Sequence, residues 1–162
     1  MSRTEQLQVR VTPAEKAALK RLARRAGQGV AAYVLSRALP KARLRFEELL
    51  GSLADEDERR FSLAELNDLL TGLTRAEFLD TVGGAPEGNL STYWQNYVAA
   101  MVEQAAEQKD VPPPAWLSVI EPLTEPHFVV PLLSLRLHLL RASPVPFRRR
   151  NIFVDSGVGD RV

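Results

Sequence analysis

The chain has 162 residues, 45% of them hydrophobic, with 21 lysines and arginines against 20 aspartates and glutamates and no cysteine. That length holds one ordinary domain, or a small dimerising unit plus a second domain. The lack of cysteine excludes disulfides, thiolate metal sites and a cysteine nucleophile. The net charge of +1 hides a segregation: residues 1–45 carry 11 basic and 2 acidic groups, residues 46–130 carry 4 and 16, and residues 131–162 carry 6 and 2. The first residues are polar, and no apolar run approaches the roughly 20 residues of a membrane helix. A cytoplasmic location is expected.

The first element is a short strand. Leu7, Val9 and Val11 alternate with Gln6, Gln8 and Arg10, and a period of two places the two sets on opposite faces. The apolar face can cover a core. Glutamine and arginine on the other face are side chains able to read adenine and guanine edges. A lone strand of this length is unstable. Pairing with the same strand of a second chain gives a two-stranded antiparallel ribbon of a size that fits the major groove. An ordinary edge strand with a polar outer face has the same alternation.

Two helices follow. Thr12-Pro13-Ala14-Glu15 is a start signal, with Thr12 as cap, Pro13 at the first helical position and Glu15 closing a capping box. Ala18, Leu19, Leu22 and Ala26 share one face of a helix from Thr12 to Ala26, and Lys16, Lys20, Arg21, Arg24 and Arg25 cover the rest. Gly27 stands where a left-handed C-cap belongs. The second helix is expected from about Gly29 to Leu39, with Ala31, Val34, Leu35, Ala38 and Leu39 on its apolar side and Pro40 ending it. Its N-terminus offers free N–H groups and a positive dipole end, a ready phosphate site. A basic helix by itself is often only a solvated face. Here it stands beside a polar-faced strand and a phosphate-ready helix start.

The pattern RVTPAEKAALKRLARRAG followed by AAYVLSRAL resembles the ribbon-helix-helix DNA-binding unit of the Arc and MetJ repressor type, over about a quarter of the chain. The resemblance implies a homodimer on double-stranded DNA. Gln6, Gln8 and Arg10 of both chains would contact bases, and Gln28, Gly29 and Val30 would hold phosphates. Arg3, Lys16, Lys20, Arg24 and Arg25 would add phosphate contacts and nonspecific attraction. Related sequences often carry serine near the start of the second helix; Gly29 and Ala31 here leave phosphate contact to the backbone.

The acidic middle reads as helical. Ala42 to Leu53 carries Leu44, Leu49, Leu50 and Leu53. Asp55 to Arg60 is a charge run expected to form a loop. Ser62 with Glu65 and Thr74 with Glu77 both have capping-box spacing and are expected to open helices, to Leu73 and Val82. Gly83 to Asn89 is a loop by composition, and a long helix is expected from Leu90 to Gln108, with Tyr93, Tyr97, Met101 and Ala105 on one side. That aromatic side has the spacing of a packed core face. Glu65, Asp68, Glu77 and Asp80 fall as helix-face pairs, which suits ordinary surface charge. His127 and His138 have no ligand spacing, and no phosphate loop or triad pattern is present. No cofactor, metal site or enzymatic activity is expected.

In the tail, Val111 to Trp116 is polyproline-like. Leu133, Leu135, Leu137 and Leu139 alternate as a strand would, yet Leu135 and Leu139 also stand at helical spacing; a helix is the preferred reading. Ser143-Pro144-Val145-Pro146 reads as a break. Arg148, Arg149 and Arg150 can grip phosphate or carboxylate in two-point fashion, as a partner-docking patch, or can pair with the acidic block of the chain itself. The stretch from Pro146 to Val154 resembles, more weakly, bacterial antitoxin-like proteins found beside nucleotidyltransferase-type toxins.

The expected fold is mainly α: a ribbon-helix-helix unit over residues 1–40, one strand plus two helices with an intermolecular two-stranded ribbon, then a mostly helical region over 41–162 that is acidic, partner-binding and ends in a basic tail. The expected function is a transcriptional regulator, in particular the antitoxin of a toxin-antitoxin operon that represses its own promoter and neutralises a toxin. A DNA-binding accessory of plasmid transfer or partition is the alternative, and a small metal-dependent enzyme is a further, different class.

Overall fold

The computed structural model describes residues 8–38, 41–86 and 90–155. Gln6, Leu7, Arg3, Leu39, Pro40 and residues 87–89 of the expected loop lie outside them. The chain divides into two units, Met1–Pro40 and Lys41–Val162, and is mainly helical.

The first unit holds α1, Pro13–Arg25, and α2, Val30–Ala38, packed on one another. The start of α1 follows from its local chemistry. The Thr12 hydroxyl accepts from the Glu15 N–H, and the Glu15 carboxylate accepts from the Thr12 N–H at 2.7 Å and its hydroxyl at 2.9 Å. Two donors left over at a helix start are thereby satisfied. These bonds hold the Glu15 carboxyl below its ordinary range. The end of α1 is a Schellman turn. Gly27 adopts φ +64, its N–H reaches the Arg24 carbonyl, and the Gln28 N–H reaches the Ala23 carbonyl at 2.9 Å.

Where a strand was expected, Gln8 to Val11 carry no strand assignment and are exposed. A strand is defined by the ladder bonds of a neighbour, and within one chain no other strand of this unit lies among the described residues. Val9 and Val11 remain 66% and 42% exposed.

The second unit is built around α6, Thr92–Lys109, with α3, Lys41–Ser52, α4, Arg59–Gly72, and α5, Arg75–Val82, before it. Helix α6 is buried on nearly every side: Asn96 to Val102, Ala105 and Ala106 are all inaccessible. Four alanines among them let neighbouring helices approach closely. Phe46 and Leu50 of α3, Leu53 in the turn after it, Leu66 and Leu70 of α4, and Phe78 and Val82 of α5 fill the same core. The middle of the helix, Tyr97 to Val102, is apolar on every side, and such a stretch belongs at a centre.

After α6 the chain is irregular. It passes through a 3-10 turn at Ala115–Val119, strand β1 at His127–Phe128, a second 3-10 turn at Leu133–Leu135, α7 at Arg136–Ala142 and α8 at Val145–Arg149, and ends on β2 at Ile152–Phe153. β1 and β2 pair in parallel, His127 opposite Ile152. Phe147, Ile152 and Val154 return to the core.

Two expectations are corrected. Ser62 does not open a helix: α4 begins three residues earlier, and the buried Ser62 hydroxyl donates back to the Glu58 carbonyl at 3.1 Å. The expected break at Ser143-Pro144-Val145-Pro146 is narrower than its four residues: Ser143 and Pro144 separate α7 from α8, while Val145 and Pro146 already form the first turn of α8, which proline's fixed φ suits. Thr74 and Glu77, by contrast, form the expected capping box at α5, and the leucine-rich run takes the helical reading.

Candidate nucleic-acid interface

The basic groups of the two units are used differently. In the second unit several are tied to the fold. Arg43 donates to the Thr81, Gly84 and Ala85 carbonyls at 2.8–3.0 Å and Lys109 to Thr71 and Leu73 at 2.9 and 2.7 Å. Both close the C-terminal ends of helices, where carbonyls lack partners. Arg59 donates to the Leu53 carbonyl at 2.9 Å and lies over the Trp94 ring.

Helix α1 is the opposite case. Lys16, Lys20, Arg21, Arg24 and Arg25 are exposed, and among the described residues no carboxylate pairs with them. At 100° per residue they fan over about half of the circumference, while Ala18, Leu19, Leu22 and Ala23 hold the other side. The one acid of the helix, Glu15, is engaged in its own cap. The result is a positive surface with no internal counter-charge, the electrostatic footprint of a polyanion binder. Arg21 belongs to it too, although the phosphate contacts expected on this helix were Lys16, Lys20, Arg24 and Arg25.

Gln8 and Arg10 stand exposed immediately before this helix, held in place at their C-terminal side by the Thr12 cap. Gln6 and Arg3 lie outside the described residues. Of the expected phosphate group, Gln28 gives its backbone N–H to the Ala23 carbonyl at 2.9 Å. Gly29 precedes α2 and its carbonyl accepts from Tyr33 at 2.8 Å. With glycine there, no side chain at residue 29 covers the first-turn N–H groups of Val30 and Ala31.

The three tail arginines are placed apart. Arg150 is 6% exposed, with its guanidinium near the Glu103 carboxylate, the Asn96 side-chain oxygen and the Leu117 carbonyl, each at 3.4 Å. Burial lowers its pKa and Glu103 opposes that shift. Arg149 pairs with Glu103 at 2.8 Å from an exposed position, and Arg148 is exposed. Pairing with the chain's own acids therefore accounts for two of the three.

The acids of the middle block are likewise occupied or isolated. Glu65 pairs with Arg45 and Glu77 caps α5. Among the described residues no three His, Asp or Glu side chains form a metal-holding group, and no helix is long and apolar enough to cross a membrane.

With this geometry in view, residues 1–55 match the family model NikA-like, described as mobilization protein NikA. That family is plasmid-associated and of the ribbon-helix-helix DNA-binding type. The match covers α1, α2 and α3 and leaves most of the second unit outside it. No match was found among curated proteins or among solved structures.

Proposed function

We propose that this protein is a DNA-binding accessory of plasmid transfer. The N-terminal unit binds as a homodimer, with residues 6–11 of two chains paired as a ribbon in the major groove. Gln6, Gln8 and Arg10 read bases. Lys16, Lys20, Arg24 and Arg25, with the backbone at Gly29 and Val30, hold phosphates. The observation that carries this reading is the conjunction of the family match over residues 1–55 with the uncompensated basic surface of α1. Dimerisation is supported by the poor burial of the unit: among its described residues only Ala23 is buried, while Leu22, Val30, Val9 and Val11 are exposed. The match points to mobilisation and lends nothing to the antitoxin reading, which is set aside together with a nucleotidyltransferase-type toxin as partner. The proposed role is not enzymatic.

The test is binding of the full-length protein to intergenic DNA beside its own gene, against random DNA, across a salt series. Specific binding with a steep salt slope is expected, since each phosphate-directed cation releases counterions. Arg10→Ala should cost about 1–3 kcal/mol on the specific site and relax preference at one base position. Lys20→Ala should weaken all DNAs alike and flatten the slope. Equal binding of both DNAs, unchanged in Arg10→Ala, would remove the ribbon from the mechanism. A relaxase gene next to this one would support the transfer role.

A further inference from the structure

The positive charge of α1 has a smaller counterpart in the second unit. Residues 126–154 contain five arginines and no aspartate or glutamate, although the block before them is acidic. Two of the five are used internally, Arg149 and Arg150 on Glu103. The other three, Arg136 and Arg141 on α7 and Arg148 on α8, are exposed, and among the described residues no carboxylate pairs with them. Asp155, just past β2, lies 3.9 Å from the His138 imidazole. Arg43, Arg45, Arg59 and Arg75, by contrast, each have a carboxylate partner.

The segments that carry these three arginines are fastened together. The Arg136 guanidinium lies over the Phe128 ring, 4.9 Å from its centroid, and Phe128 stacks on the buried Phe153 at 4.8 Å. The Ser143 hydroxyl, two residues beyond Arg141, accepts from the Val154 N–H at 2.9 Å. Arg148 follows on α8, which packs on β2. So α7, α8 and both strands form one connected block. A basic residue in the last turn of a helix offsets the helix dipole, which accounts for Arg141 and Arg148 taken singly. It does not account for Arg136, the first residue of α7, where a positive charge opposes the dipole. Held on a ring, Arg136 loses less side-chain freedom when it meets a ligand.

We propose that this block is a second DNA-contacting surface, on which Arg136, Arg141 and Arg148 grip backbone phosphates; the proposal rests on DNA binding by the first unit. Guanidinium forks match phosphate oxygens in two-point fashion. Charge selects the place: residues 46–130 carry 4 basic against 16 acidic groups and repel a polyanion, which leaves the α7–α8 block as the part of the second unit that can meet one. Contacts of this kind position a protein on the duplex and add affinity without reading sequence. Base reading stays with the first unit.

The test compares the full-length wild type with a variant carrying Arg136→Ala, Arg141→Ala and Arg148→Ala, on the intergenic DNA beside its gene and on random DNA, across a salt series. Tryptophan fluorescence in urea verifies that the second unit stays folded. The slope of log affinity against log salt should fall by about 0.9 for each arginine removed, with the preference for the intergenic DNA retained. Arg148→Ala alone, which disturbs no ring contact, should show its own share of the fall. Arg60→Ala removes an exposed cation inside the acidic block and should leave the slope unchanged. A wild-type slope in the triple variant, or a fall in Arg60→Ala equal to that in Arg148→Ala, would overturn this proposal and leave DNA binding by the first unit standing. A wild type that binds neither DNA would overturn both. Binding of the wild type to anionic phosphatidylserine vesicles that the triple variant loses, with DNA binding unchanged, would assign the block to a membrane and overturn the proposal.

Discussion

Arg149 and Arg150 are neighbours in sequence, share Glu103 as a partner, and differ in what surrounds them. Arg149 sits in solvent, where an ion pair gains little because water and salt screen it. Arg150 is enclosed, and Glu103 and Asn96 orient on its guanidinium. Removing one member of a buried, hydrogen-bonded set leaves the others desolvated and unsatisfied. Arg150→Ala should therefore destabilise the second unit by about 3 kcal/mol, whereas Arg149→Ala should cost less than about 1 kcal/mol. Urea unfolding followed by tryptophan fluorescence reports this, since Trp94 and Trp116 both belong to that unit. Equal costs would mean that the enclosure of Arg150 has no energetic consequence. The triplet was visible in the sequence as a possible docking patch. Its division into one structural, one shared and one exposed side chain depends on Asn96 and Leu117, 54 and 33 residues away, and distance in sequence concealed it.

At the scale of elements, two stretches with the same local spelling behave differently. Thr74 and Glu77 cap α5, and Ser62 and Glu65 do not cap α4. Thr74→Ala should cost about 1 kcal/mol. Ser62→Ala should be near neutral, because its hydroxyl bonds back to a carbonyl within the helix and alanine is the better helix former. The first effect should depend on pH. Hydrogen bonds from Thr74 hold the Glu77 carboxyl below its ordinary value. A depressed carboxylate contributes stability above its unfolded pKa and loses it as pH falls through the folded one. The gap between wild type and Thr74→Ala should thus narrow in acid, as thermal melts at neutral and acidic pH would show; a gap that stayed constant would count against the box. Caps at Thr12 and Thr74 were legible because their bonds span three residues. The start of α4 was not, because Arg59 to Phe61 continue the helix upstream and no local rule forbids it. β1 and β2 were not legible either. Each has two residues, and their pairing joins His127 to Ile152 across the intervening helices. The expected strand at Gln6 to Val11, described from Gln8 onward, is a different case, since alternation names a face but a ladder needs a second strand.

At the scale of the whole molecule, the two units differ in whether they are complete. The second encloses a core running from Phe46 to Val154. The first has one buried side chain among its described residues and leaves Val9, Val11, Leu22 and Val30 in contact with water. A unit of about 40 residues seldom buries enough apolar surface to offset its chain entropy. If a second copy supplies the missing half of its core, its stability must follow mass action. The two units have separable signals. Tyr33 is the only aromatic residue of the first forty and both tryptophans lie beyond them, so fluorescence follows the second unit while helical circular dichroism follows both. The fluorescence midpoint should be independent of protein concentration. The part of the helical signal that melts without a fluorescence change should shift to higher temperature as concentration rises. Arg10→Ala should leave that shift intact, because in the proposed dimer the polar face of the strand would read DNA while Val9 and Val11 on the other face would close the interface. A first-unit transition that ignored concentration would show that these two short helices stand alone, and the ribbon with its base-reading face would then lack the second strand on which it depends.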